Sequence, residues 1–252
     1  MSLQACADIV AKGDPDRFRA VMAAPVDARQ VLFPLYAFNV EVARAPWVGS
    51  EPMIGEMRLH WWRDAVEESG AGRTVRKHEV TTPLADVLDA KSAQMLDRGG
   101  AARRWDLYKD PFEDEDHLVA YLENTGGTLM WVAALALGAP DAARDAVRGF
   151  GTATALTRFL AAVPALEARG RIPLVDGRKD GIVALVERIR ATSLSLAELK
   201  RAIPKAAQPA RFYGWETGLR LCWARRAPER VADGTLQQSE FRKRLGLILA
   251  LA

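Results

Sequence analysis

Apolar residues recur along most of the chain at the three- and four-residue spacing of a helix face, and no segment sustains the alternation of a strand. The pattern predicts an all-α protein. Asp14 before Pro15 reads as a cap followed by proline at the first helical position, with Phe18, Val21 and Met22 behind it. Asp27 opens a second run, with Val31, Leu32, Leu35, Tyr36, Phe38 and Val42 on or beside one face. Pro34 inside that run predicts a kink or a break. Ser50-Glu51-Pro52 starts a third helix, whose inward face is expected to be Met53, Met57, Trp61 and Ala65. Thr82-Pro83 opens a fourth, with Leu84, Val87, Leu88 and Met95 inward. Further helices are predicted over 115–137, 141–168, 180–203, 211–226 and 238–249.

The intervening segments are short. Those at 70–80 and 169–179 are the loosest, and neither is a long linker, so 1–252 is expected to form a single domain. The longest uncharged run, 124–140, falls short of the roughly 20 apolar residues of a membrane span and opens on polar and glycine residues. It reads as a buried core helix.

Composition narrows the function classes. Lys and Arg total 35 against 32 Asp and Glu, with no dense basic tract, which gives no case for nucleic-acid binding. Two distant cysteines, Cys6 and Cys222, and three histidines argue against zinc and fit a reducing compartment. Asp8 interrupts the short apolar run near the start and no basic segment precedes it, so no signal peptide is expected and the location reads as cytoplasmic.

Candidate chemistry is sparse. Asp110, Glu113, Asp114, Glu115 and Asp116 could bind a divalent cation, but they directly precede a helix, where acids favour the positive end of the dipole. Glu56, His60 and Asp64 share one helical ridge, as metal ligands or as surface pairs. No G-x-S-x-G or Walker motif occurs. Two stretches, Tyr121-Leu-Glu-Asn-Thr-Gly-Gly-Thr and Gly149-Phe-Gly-Thr-Ala-Thr-Ala, place small residues inside helices. Glycine there costs about 0.5–1 kcal/mol relative to alanine. Close helix packing, or room for an apolar ligand, would compensate.

Taken in order, DPDRF from Asp14, LFPLYAFNVEVAR from Leu32, EPMIGEMRLHWWRDAV from Glu51, YLENTGGTLMWVAALALG from Tyr121 and GTATALTRFLAAVPALEARGRIPL from Gly151 resemble the squalene/phytoene synthase family. The resemblance implies the isoprenoid synthase fold, a helical bundle around a central cavity. It implies head-to-head joining of prenyl diphosphates, with magnesium held by two aspartate-rich motifs. It places Tyr36, Glu41, Tyr121, Gly126, Gly127, Gly151, Thr157 and Arg158 at the cavity wall.

At the first motif the expected aspartates fall near Ala43, Arg44 and Trp47, and only Glu41 is acidic. At the second they fall on Ala162 and Leu166. Carboxylates hold the magnesium that neutralises a departing diphosphate, so losing both sets should abolish metal-dependent ionisation. The spelling YAFNVEVAR with EPMIGEMRLHWWRDA is similar to a divergent branch whose members assist assembly of respiratory complex I. That implies a non-catalytic protein without metal or cofactor and with a respiratory-complex subunit as partner. Two alternatives stand beside it. One is a prenyl diphosphate transferase with magnesium on displaced ligands, drawn from Glu41, Glu56 and Asp64. The other is a binding protein for an apolar lipid, isoprenoid or quinone, in which the cavity persists.

The chain closes FRKRLGLILALA, where Arg242, Lys243 and Arg244 precede a nearly unbroken apolar run. Docking on the core as a last helix is expected, with peripheral contact to an inner membrane as the other reading.

Overall fold

Residues 3–49 and 51–251 are described in the computed structural model. Fourteen α-helices follow one another, with no strand among the described residues. They are α1 (Leu3–Gly13), α2 (Pro15–Met22), α3 (Val26–Arg44), α4 (Pro52–Gly70), α5 (Thr81–Ala85), α6 (Ala90–Ala102), α7 (Glu115–Leu122), α8 (Thr128–Ala136), α9 (Arg144–Glu167), α10 (Lys179–Ala191), α11 (Leu196–Ala202), α12 (Thr217–Arg226), α13 (Glu229–Ala232) and α14 (Glu240–Leu251).

Side-chain caps fix several starts. Asp14 accepts from the Arg17 amide at 3.0 Å, Asp89 from Ser92 at 2.7 Å and Asp114 from His117 at 2.8 Å. The acidic cluster at 110–116 is thus partly a cap, and Glu115 and Asp116 pair with Arg188. A reciprocal capping box between Ser195 and Glu198 divides the helix expected over 180–203 into α10 and α11.

Three expectations are corrected. The break allowed at Pro34 does not occur: α3 runs on through it, with Pro34 buried among Leu32, Phe33, Leu35 and Tyr36. Packing outweighs the one backbone bond that proline forfeits. In α4 the inward face is Gly55, Leu59, Trp62, Ala65 and Val66, whereas Met53 and Met57 are 72% and 68% exposed. Gly55 belongs to that packed face, where a Cβ would sit 2.1 Å from a Leu107 methyl and 3.5 Å from the Pro46 Cα. Finally, the helix expected over 115–137 is interrupted by a π-helical turn, Glu123–Gly127.

Two apolar clusters form the core. One gathers α1, α3, α4, α6, α8 and the 3₁₀ segment Lys205–Gly214; the other gathers α7, α9, α10, α12 and α13. The uncharged run contributes Leu129 to Ala134, all buried. No helix among the described residues is long and apolar enough to cross a membrane.

Candidate ligand cavity

A cavity of about 330 Å³ is walled by α2, α3, α7, the π turn, α8, α9 and the segment carrying Tyr213. That size lies within the range of small-molecule sites. Its glycines explain how the wall closes. A Cβ on Gly126 would lie 2.4 Å from the Ala155 Cβ, and one on Gly151 would lie 2.9 Å from the Gly127 Cα and the Met130 Cβ. The π turn and α9 therefore touch backbone to backbone. The same glycines line the cavity, so close packing and room for a ligand are met at one place.

One polar cluster in the wall joins residues from far apart in the chain. Asp14 accepts from the Tyr213 hydroxyl at 2.9 Å and faces the Arg17 guanidinium at 3.2 Å. Arg17 lies 4.7 Å from the Tyr36 ring centre and 4.0 Å from that of Tyr213, and Arg158 lies 4.5 Å from the Tyr213 ring. Burial pushes the Tyr36 hydroxyl up to about 12, against the pull of Arg17. Arg158 pairs with Asp16 at 2.8 Å and with Glu216 at 3.5 Å. Nη1 of Arg17 is buried without a hydrogen-bond partner, while Nε of Arg17 and Nη2 of Arg158 face Asp14 and Glu216 in the ion pairs. Unpaired buried donors are costly, so this end of the cavity favours a ligand group that accepts hydrogen bonds.

A second cluster holds Arg103, Asp106 and Tyr121. Arg103 donates to Tyr121 at 3.0 Å and to Asp106 at 3.2 Å, and the Tyr121 hydroxyl donates to Asp106 at 3.1 Å. Burial raises the Asp106 carboxyl above its ordinary value, with Arg103 opposing. These donors are already engaged.

The rest of the wall is apolar or small: Leu129, Met130, Ala155 and Phe159, together with Ala43, Trp47, Ala162 and Leu166. The last four are among the positions where the family resemblance expects aspartates; the fifth, Arg44, does not line the cavity. Trp47 is 38% exposed and stands at the rim, with Arg169 and Arg171 over its ring at 4.7 and 5.5 Å.

Of the residues assigned to the wall from sequence, Tyr36, Tyr121, Gly126, Gly151 and Arg158 line the cavity. Glu41, Gly127 and Thr157 are not among the lining residues. Glu41 pairs with Arg44 at 3.6 Å, Gly127 packs on Thr152, and Thr157 turns back to the Thr154 carbonyl at 2.8 Å. The displaced-ligand candidates do not converge. Glu56 is held by Arg104 and Tyr108, and Asp64 lies beside His60 and Arg76. No group of three or more His, Cys, Asp or Glu is gathered for a metal among the described residues. The donor set does not fit magnesium. Sequence reasoning missed Asp14, Arg17 and Tyr213 as wall residues. DPDRF signalled only a cap, and nothing local marks Tyr213 as its partner 199 positions away.

The squalene/phytoene synthase family model matches residues 10–175. The chain belongs to that family. Its sequence is 26% identical over 181 residues to the human protein named NADH dehydrogenase (ubiquinone) complex I, assembly factor 6, covering 66% of this chain and 51% of that protein. The Drosophila melanogaster homolog of that factor is 27% identical over 177 residues, covering 68% and 53%. The chain thus spans about half the length of the curated relatives it matches. Among solved structures, a dehydrosqualene synthase in complex with ligand superposes with a TM-score of 0.76 at 17% identity, covering 98% of this chain and 94% of the other. A squalene synthase from Alicyclobacillus acidocaldarius gives 0.71 at 17% identity, with coverages of 89% and 93%. The fold is that of the isoprenoid synthases, a helical bundle around a central cavity.

Proposed function

We propose that this protein is a non-catalytic member of the family that assists assembly of a respiratory NADH:quinone oxidoreductase. Its partner is a subunit of that complex, it works on the cytoplasmic side of an inner membrane, and it needs no metal or organic cofactor. The observation that carries this reading is the chemistry of the cavity wall. Ala43, Arg44, Trp47, Ala162 and Leu166 mark where the family resemblance expects diphosphate-ionising carboxylates; none is acidic, and all but Arg44 line the cavity. Without carboxylates there is nothing to hold the magnesium that drives ionisation. The likeness to assembly factor 6 supports the choice of partner.

Deleting the gene and resolving complex I on native gels tests the proposal. The fully assembled complex is expected to fall, with subassemblies accumulating, and normal levels would sink the assembly role. The enzymatic alternative is tested by incubating purified protein with magnesium and farnesyl or geranylgeranyl diphosphate. No pyrophosphate release above background is expected. Release that disappears in Glu41→Gln would reverse the conclusion.

The persistent cavity supports a ligand as part of the same function: an apolar lipid or isoprenoid whose hydrogen-bond-accepting head meets the unpaired Nη1 donor of Arg17. Such a ligand would report on, or stabilise, the assembly-competent form.

A further inference from the structure

The last helix docks by the face that carries Lys243, Gly246, Leu247 and Ala250. Lys243 reaches Asp16 at 3.2 Å, the Trp215 ring lies 3.4 Å from where a Gly246 Cβ would stand, Leu247 is buried, and the Ala250 carbonyl accepts from Arg211 at 3.2 Å. These positions share one helical face. Phe241, Leu245, Ile248 and Leu249 fall on the opposite face and are 75%, 46%, 64% and 68% exposed. At 100° per residue, the exposed Arg242 and Arg244 border that stripe on its two long edges. The one acid of α14, Glu240, is turned away from the stripe and held by Arg19 and Lys243.

We propose that this stripe is a peripheral membrane contact. α14 lies flat on an anionic lipid surface, its four apolar side chains enter the acyl boundary, and the two arginines reach the headgroup phosphates. The charge pattern selects the occupant. An apolar strip flanked by arginines on both edges, with no free acid, matches hydrocarbon beneath a plane of phosphates. A second copy of the chain is a poor match, because antiparallel stripes would bring like-charged arginines together. No helix among the described residues is long and apolar enough to cross a bilayer. Lys243, which the sequence alone counts with the headgroup-seeking cations, is spent inward on Asp16. The inference stands apart from the assembly reading, since it uses neither the cavity nor a respiratory partner.

Flotation of the full chain with vesicles tests it. Binding is expected to phosphatidylcholine vesicles containing phosphatidylglycerol, none to phosphatidylcholine alone, and a decline as salt rises. Ile248→Glu with Leu249→Glu should cut binding at least tenfold with an unchanged melting temperature, because both side chains face solvent in the free protein. Arg242→Gln and Arg244→Gln should each cost roughly five-fold. Failure of the wild type to float with anionic vesicles would overturn the proposal, as would undiminished binding by the Ile248→Glu, Leu249→Glu protein. Light scattering that shows a dimer dispersed by those same substitutions would assign the stripe to a second copy instead.

Discussion

Three cations converge on the carboxylate of Asp16: Arg158 at 2.8 Å from α9, Lys243 at 3.2 Å from α14 and Arg19 at 3.1 Å within α2. Burial alone would raise this carboxyl, but Arg158 and Lys243 outweigh it and hold it below its ordinary value. A depressed folded value means stability that is fully present above the unfolded value, about 3.9, and is lost as pH falls through the folded one. Asp16→Asn should therefore cost about 3 kcal/mol near neutral pH, since it leaves buried cations underpaired. The difference from wild type should begin to narrow as pH falls below about 4 and close only below the depressed folded value. Urea unfolding at pH 7, 5 and 3 measures this, and a gap that stays constant at all three values would show that shape rather than charge is lost. Little of this was legible in the sequence. DPDRF announces a cap and supplies one, but the partners of Asp16 lie 142 and 227 positions away. Chemistry carried by neighbours in the chain, such as Asp114 with His117, could be read; chemistry assembled by folding could not.

Helices were legible from their periodicity, and their rotation was not. In α4, methionine and tryptophan recur every fourth residue, which reads as a core stripe, yet Leu59, Trp62, Ala65 and Val66 pack inward with Gly55 while Met53 and Met57 lie outside. A glycine weighs nothing in a hydrophobicity count and can still sit on the side of a helix that packs. The π turn follows the same logic: small residues permit an approach that periodicity cannot encode. Where α9 crosses that turn, Gly151→Ala sets two effects against each other. Helix propensity favours alanine by about 1 kcal/mol. The new Cβ would meet the Gly127 Cα and Met130 Cβ at 2.9 Å and the Gly126 carbonyl at 3.0 Å, backbone and near-backbone atoms that cannot swing away. Overpacking of this kind costs about 1–3 kcal/mol, so a net loss of up to about 2 kcal/mol is expected. Gly218→Ala in α12, where no atom lies within 4 Å, is the control and should be neutral or slightly stabilising. Equal behaviour of the two variants in chemical denaturation would remove the close contact as the reason for glycine at 151.

At the scale of the molecule, two apolar clusters enclose a cavity that neither fills. The sequence predicted both the helical bundle and the loss of carboxylates. It could not place Ala43 and Ala162 on the cavity wall except through the family resemblance, because an alanine in a helix carries no sign of what it faces. A void left unfilled is a standing loss of packing, so filling it should stabilise the protein. Ala43→Leu with Ala162→Leu puts two new side chains into the cavity from α3 and α9. Allowing for partial burial, each contributes about 1 kcal/mol. For a chain of this size that raises the melting temperature by roughly 4–8 °C for the pair. The same substitution removes the space for a bound apolar ligand. If the cavity serves assembly, the stabilised variant will fail to restore complex I in the deletion strain while accumulating to wild-type levels. Full restoration by the filled protein would show that the void is dispensable and that the partner reads the outer surface alone. Measured together, the melting temperature and the native-gel level of complex I separate the two, because a misfolded variant would lose the first as well as the second.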